Sequence, residues 1–329
     1  MIKVLPFLMA IFISLVHFQF YNSEPAEEII SENKNPRNHL TQDSTNRNEV
    51  TAKIMTVGEA SSKDAMNLTT SNDIIGDNFV PERNLDITVM RLTWELVPFA
   101  VKYKVICQAG EFISYTSGIE IEIAPGTADQ NFQIIALDYD GNVLADNTKI
   151  LTRELNPTAP LTTTEFNRMD YSPMYLVYSW IPTKDADHYE IQLIHNNNIA
   201  REFVTEYHPQ DDNFDYYDTD PILEDGEYFW RVRGLSADDT PITAWSDKNE
   251  GNSFVIKKPV RFCAIGDSIT HGGGSISVPP SNVLYNWETY CKIPVKNLGK
   301  SGDTTDDILD RFERDVLPFQ PEVLFIMAG

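Results

Sequence analysis

Basic side chains are scarce in this 329-residue chain: 26 lysines and arginines stand against 49 aspartates and glutamates, a formal charge of −23. So acidic a surface does not suit a polyanionic ligand, which excludes nucleic acid and an anionic membrane as partners. Cysteine is rarer still. Cys107, Cys263 and Cys291 are odd in number, widely spaced and set in apolar stretches, so they read as buried free thiols. Neither a disulfide framework nor a metal site has that spacing. Aromatic residues are not lacking, at 11%, so the acidity does not imply a disordered chain throughout. The length suits two or three domains.

The N-terminus has a long, nearly unbroken apolar run, Val4 to Val16, behind a single lysine, Lys3. The run is too short to span a bilayer comfortably, and His17 and Gln19 interrupt its continuation. Residues 1–23 are expected to be an export signal or, because Tyr21-Asn22-Ser23 is a poor cleavage pattern, an uncleaved N-terminal anchor. Either way the remainder is expected outside the cytoplasm, secreted or at the cell surface. Residues 24–82 are polar, rich in Asn, Ser, Thr, Glu and Lys, and cannot bury enough apolar area to offset chain entropy. They are expected to be a disordered linker.

Next comes an internal repeat. Trp94, Ala100 and Tyr103 have the same mutual offsets as Trp180, Ala186 and Tyr189. Val101–Val105 and Tyr189–Leu193 alternate apolar and polar, as half-buried strands do. A later strand follows in each copy, with Phe132, Ile134 and Ala136 on one face in the first and Tyr228, Trp230 and Val232 in the second. Short strands at regular spacing with no helical pattern predict two β-sandwiches, whose aromatics pack the cores. His188 and His208 fall on loops or strand edges with no evident chemistry.

These residues resemble fibronectin type III modules. The second copy carries the clearer match, in Trp180, Asp185–Ile191, Gly226-Glu227-Tyr228-Phe229-Trp230-Arg231-Val232-Arg233 and Trp245-Ser246. The first copy lacks the Gly-x-Tyr-x-Trp-Arg segment. The modules are placed at 83–155 and 156–257. Their surfaces are candidate contacts for a cell-surface polysaccharide, provided aromatic rings are exposed there.

At Lys257-Lys258-Pro259 the pattern changes to strand, helix, strand, helix, strand. Val260–Ile265, Ile293–Leu298 and Val323–Met327 are the expected strands. Ser281 is a cap for a helix with Val283, Leu284, Trp287 and Cys291 on one side. Asp303 or Thr304 caps a second helix, with an apolar stripe of Ile308, Leu309, Phe312 and Val316 ended by Pro318. Alternating β and α elements imply a parallel sheet. In such a sheet the ligand crevice lies beyond the carboxyl ends of the strands. There the sequence has Gly266-Asp267-Ser268-Ile269-Thr270, Gly299-Lys300-Ser301-Gly302-Asp303 and Ala328-Gly329. Glycine lets backbone N–H groups approach a substrate oxygen, and a serine in that place is a candidate nucleophile. Taken alone, Gly-Asp-Ser is equally well a capped turn.

The run 262–272 resembles the first signature block of the SGNH/GDSL hydrolases. Residues 297–305 resemble the second block, and 323–329 resemble the approach to the third. The fold class expected is therefore two all-β fibronectin III-like sandwiches followed by a truncated, flavodoxin-like α/β parallel-sheet domain over 258–329. The resemblance implies serine acyl-enzyme hydrolysis of a small-molecule or carbohydrate ester, with no metal or organic cofactor. Ser268 would be the nucleophile, and the backbone N–H groups of Ser268 and Gly302 would serve as oxyanion donors. Asp267 and His271 would line the substrate. In the family an Asn side chain after the third strand and a later Asp–His pair complete the site. The sequence stops before these, so as written the chain is expected to be inactive or nearly so.

His271 lies close enough to Ser268 to be considered as a base, but no carboxylate is placed to orient it. His271-Gly272-Gly273-Gly274 also resembles the oxyanion loop of α/β-hydrolase lipases, whose Gly-x-Ser-x-Gly elbow is absent. An extracellular binding or display protein with a non-functional hydrolase remnant is the alternative from another functional class.

Overall fold

The computed structural model describes residues 3–4, 87–206, 214–272, 283–284 and 286–328. Outside the described residues lie all of the expected linker, all but two residues of the export segment, His208, Gly273, Gly274, Ser281 and Gly329. Chain order begins with a two-residue strand, β1 (Lys3–Val4).

Two antiparallel sheets form the first sandwich, from β2 (Thr88–Trp94), β3 (Lys102–Cys107), β4 (Gly110–Ser114), β5 (Gly118–Ile123), β6 (Gln133–Leu137), β7 (Val143–Ala145) and β8 (Ile150–Leu155). Their orders are β5-β2-β8 and β4-β3-β6-β7. The second sandwich is built from β9 (Leu161–Thr162), β10 (Val177–Ile181), β11 (His188–His195), β12 (Asn198–Val204), β13 (Asp215–Tyr217), β14 (Gly226–Leu235) and β15 (Ser253–Ile256). Its sheets are ordered β13-β10-β9 and β12-β11-β14-β15. Strand for strand the two orders correspond, with one exchange. The place beside β10 is taken by the strand that precedes it, whereas the place beside β2 is taken by β8, which follows the other six.

The sequence repeat is a repeat of packing. Trp94 meets Tyr103 with ring centroids 5.3 Å apart at 57°, and Trp180 meets Tyr189 at 5.0 Å and 54°. Each tyrosine hydroxyl accepts a backbone N–H from the intervening turn, Val97 at 3.0 Å and Thr183 at 2.7 Å. Each turn also carries a left-handed residue at the same offset, Phe99 (φ 65°) and Asp185 (φ 77°). The indole thus sits on the central strand of one sheet, the phenol on the central strand of the other, and their contact closes the core.

After the second sandwich come β16 (Phe262–Gly266), α1 (Ser268–His271), β17 (Lys296–Asn297), α2 (Thr305–Val316) and β18 (Val323–Met327). They make a small sheet in the order β1-β18-β16-β17, with every pairing parallel. The structure departs from expectation at four points. The second strand is only two residues long, because Pro294 has no N–H for the ladder and forces Ile293 away from regular pairing. The helix expected after Ser281 is, among the described residues, a single 3-10 turn, Trp287–Tyr290. The Thr289 hydroxyl donates to the Val283 carbonyl and the Tyr290 hydroxyl to that of Leu284, so side chains occupy acceptors that helical amides would use. Leu309 is 72% exposed, and the buried face of α2 is Ile308, Arg311, Asp315 and Val316. Of the three free cysteines only Cys263 is buried; Cys107 and Cys291 are partly exposed. Among the described residues no helix is long and apolar enough to cross a membrane.

One apolar cluster runs from the second sandwich into the sheet segment, joining Tyr178, Trp180 and Trp230 to Cys263, Ile265, Leu298, Val316 and Phe319. The first sandwich has a separate cluster around Leu92, Trp94 and Tyr103.

Candidate functional site

β16 delivers its last residue, Gly266, opposite Met327 of β18. Asp267 then caps α1, its Oδ1 accepting the Ile269 N–H at 2.9 Å. That bond occupies one carboxylate oxygen, so Asp267 serves first as a cap. Ser268 is the first residue of α1 and is exposed. Its backbone N–H, a first-turn donor, has no acceptor among the described residues.

The loop after β17 abuts this one. The Lys300 N–H donates to the Gly266 carbonyl at 3.0 Å. Gly299 packs so tightly on α1 that a Cβ there would stand 2.4 Å from the His271 nitrogen, so only glycine fits. Asn297 supports both sides, accepting the Gly299 N–H at 2.8 Å and donating to the Thr270 carbonyl at 2.7 Å. Gly302 lies at φ 91°, in the region glycine favours, and is exposed with open space around its Cα. Its N–H, like that of Ser268, meets no acceptor among the described residues.

Beneath the loops lies Arg311, 6% exposed, which the sequence reading passed over. Its Nη2 donates to the Gly266 carbonyl at 2.9 Å and its Nη1 to the Leu298 carbonyl at 2.7 Å, so one guanidinium joins the ends of β16 and β17. It also bonds the carboxylates of Asp303 and Asp315. Burial alone would lower its pKa, but the bonds from Asp303 and Asp315 outweigh burial and raise it. Burial likewise pushes the Asp315 carboxyl up, while bonds from Arg314, Tyr175 and Arg311 bring it below the usual carboxylate value. Both groups are charged, and each is compensated.

The second sandwich forms the far wall. The Tyr175 hydroxyl donates to Asp315 Oδ2 at 2.5 Å, and the Tyr217 hydroxyl accepts the Ser301 N–H at 3.0 Å. His271 belongs to this seam and not to the open crevice. It is 1% exposed, its Nε2 donates to the Tyr175 carbonyl at 2.9 Å, and its ring lies 4.9 Å from that of Tyr217. The structure thus brings the loops of Ser268, Asp267 and Gly302 together, and it places the His271 ring beneath them.

Arg311, Tyr175 and Tyr217 were missing from the sequence-level site. A signal for Arg311 existed: it stands three residues after Ile308, on the buried face of an amphipathic helix where charge demands a partner. No sequence pattern marked the two tyrosines, because their partners lie about a hundred residues away. His188 sits at the start of β11 between Asp187 (3.1 Å) and Asp239 (2.9 Å), remote in sequence from the loops. A cleft of about 960 Å³ lies elsewhere, between the sandwiches, with Ile113, Tyr115, Lys184, Asp185 and Phe214 in its walls. Among the described residues no cluster of three or more His, Cys, Asp or Glu side chains could hold a metal ion.

No family model matches the chain. No match is found among the curated proteins. Solved structures do match. The FN1–FN3 domains of chicken CNTN1 are 10% identical, over 52% of this chain and 60% of that one, with a TM-score of 0.21. A two-domain segment of chicken tenascin is 10% identical over 48% of this chain and 91% of that one, with a TM-score of 0.20. Two of the matches are thus fibronectin type III segments. A third, the β-1,2-glucanase from Parabacteroides distasonis, is 11% identical over 51% of this chain and 27% of that one, at a TM-score of 0.19. The sandwich architecture described above rests on the strand orders and not on these low scores.

Proposed function

We propose that this chain carries the nucleophile half of an exported ester hydrolase, with Ser268 as nucleophile and the Ser268 and Gly302 amides as oxyanion donors. The observation that supports it is the meeting of two strand-end loops that present an exposed serine beside two backbone N–H groups with no acceptor among the described residues. The residue-level resemblance of 262–272 and 297–305 to SGNH/GDSL hydrolases points the same way. In this reading Ser268 Oγ attacks the ester carbonyl and its proton passes to a base. The oxyanion rests on the two amides, the alcohol leaves, and water then releases the acid. No residue of the 329 matches the family's oxyanion Asn or its Asp–His pair, and His271, held at Nε2, does not replace the base. Added imidazole can serve as the base for Ser268 in a test of this reading.

The test uses the 329-residue protein with p-nitrophenyl acetate in imidazole buffer, with peptide mass spectrometry after an acid quench. Selective acetylation of Ser268, lost in Ser268→Ala, is expected. Acetylation no faster than that of serine in an unstructured peptide would refute the assignment.

A second reading, that of an extracellular binding protein, is favoured by one observation: a cleft of about 960 Å³ lies between the sandwiches, away from Ser268. Cell-surface polysaccharide is the candidate ligand, with Tyr115 (40% exposed) as an available ring in its wall. Retention of the protein on a polysaccharide column, unchanged in Ser268→Ala and lost in Tyr115→Ala, would favour this reading.

A further inference from the structure

We propose that Tyr217, on the second sandwich, is a positioning residue for the Gly302 loop, so that the crevice beside Ser268 is built across the seam between sandwich and parallel sheet. The inference rests on the reading of Ser268 as nucleophile.

Strand β13 has three residues, and consecutive side chains leave opposite faces. Tyr216 turns to Phe203 and Tyr178, with ring centroids at 4.8 and 6.4 Å. Tyr217 must therefore turn the other way, into the seam. There its hydroxyl accepts the Ser301 N–H at 3.0 Å, one residue before Gly302. The Lys300 N–H bond to the Gly266 carbonyl and the Arg311 pair with Asp303 anchor the loop on either side, but neither reaches Gly302 itself. Gly302 has open space around its Cα, and the Asp303 N–H reaches the Lys300 carbonyl only at 3.4 Å. The same phenol ring packs on His271, the last residue of the short helix that begins at Ser268. One side chain thus touches the nucleophile helix and the oxyanion loop. A donor displaced by a fraction of an ångström from the oxyanion's position loses much of its effect.

Burial pushes the phenol up to about 12, so it stays protonated near neutrality and has no acid–base part in the reaction. Its part is to hold geometry. The second sandwich is then a wall of the site and not a spacer.

The test is Tyr217→Phe in the 329-residue protein, which keeps the ring and removes the acceptor. Two readouts are taken: amide hydrogen exchange at Ser301 and Gly302, and Ser268 acetylation in imidazole across ester concentrations. Exchange at Ser301 should rise about tenfold, the loss of one hydrogen bond, with no change at Trp230 or Leu324. The maximal acetylation rate should fall by about the same factor while the half-saturating ester concentration stays fixed. A residue of merely structural importance would raise exchange everywhere and leave the maximal rate of folded molecules alone. Unchanged exchange at Ser301 overturns the proposal, as does raised exchange with an unaltered maximal rate. If wild type fails to acetylate Ser268, the nucleophile reading falls, and exchange at Ser301 alone decides whether Tyr217 holds the loop.

Discussion

Lys296 is a residue whose environment opposes its charge. It lies on β17, 1% exposed, with its Nζ donating to the Ser172 carbonyl at 2.7 Å and the Phe319 ring 5.5 Å away. Burial pulls its pKa down to about 7, and no carboxylate is among the groups that act on it. Because the folded value is below the ordinary 10.5, the unfolded chain binds the extra proton between about pH 7 and 10.5. Stability from this group therefore rises with pH through that window, and its full cost is present at and below pH 7. Lys296→Met should stabilise the protein by roughly 2–4 kcal/mol near pH 7, the penalty of the buried ammonium less the lost hydrogen bond. The gain should shrink as pH approaches 10.5. Urea unfolding of both proteins at pH 7 and pH 10 checks the claim, and a pH-independent difference would sink it. The lysine was invisible as an exception in the sequence, where it reads as one polar residue of the expected strand Ile293–Leu298.

Among the elements, α2 was the most legible and shows where legibility stops. Its start was marked at Asp303 or Thr304, ahead of two acids, and Thr304 proves to be the cap. In the structure the Thr304 hydroxyl accepts the Asp307 N–H at 3.3 Å, and Asp307 Oδ2 accepts the Thr304 N–H at 2.8 Å. Thr304→Ala should cost about 1 kcal/mol, read as a lower urea midpoint with unchanged slope; an unaltered midpoint would show that the capping box adds nothing. Ile308, Phe312 and Val316 of the expected stripe face the core, and Leu309 does not. Apolarity favoured Leu309, yet Arg311 faces inward because backbone carbonyls at the ends of β16 and β17 need donors, and Asp315 faces inward as its counter-ion. Local signals such as caps, alternation and the Trp–Ala–Tyr repeat were readable because their partners are neighbours in the chain or on the facing sheet. Pro294, which shortened β17, was also in plain view and outweighs the apolarity of its neighbours. Contacts spanning the seam, such as Tyr217 with Ser301, had no local trace. Hence the loops of the candidate site could be read from sequence, and the residues supporting them could not.

For the whole molecule, the decisive feature is the division of the apolar cores. The first sandwich closes its own around Trp94 and Tyr103. The second does not, since Trp180 and Trp230 share a continuous cluster with Cys263, Val316 and Phe319 of the sheet segment. Across the same seam run Met174 N–H to the Asn297 carbonyl at 2.9 Å and Tyr175 to Asp315, so apolar and polar contacts reinforce each other. A sheet of so few residues has little core of its own, and the second sandwich supplies most of it. These two parts should therefore unfold together, and the first sandwich separately. Phe319→Ala empties a fully buried position at the foot of the sheet and should cost about 3–5 kcal/mol. In protein labelled with 5-fluorotryptophan, the fluorine signals of Trp180 and Trp230 should then lose their native positions at a lower urea concentration than in the parent. That of Trp94 should stay where it was. If Trp230 held its midpoint while Trp287 alone moved, the sheet segment would be an independent unit, and a site built across the seam would lose its physical basis.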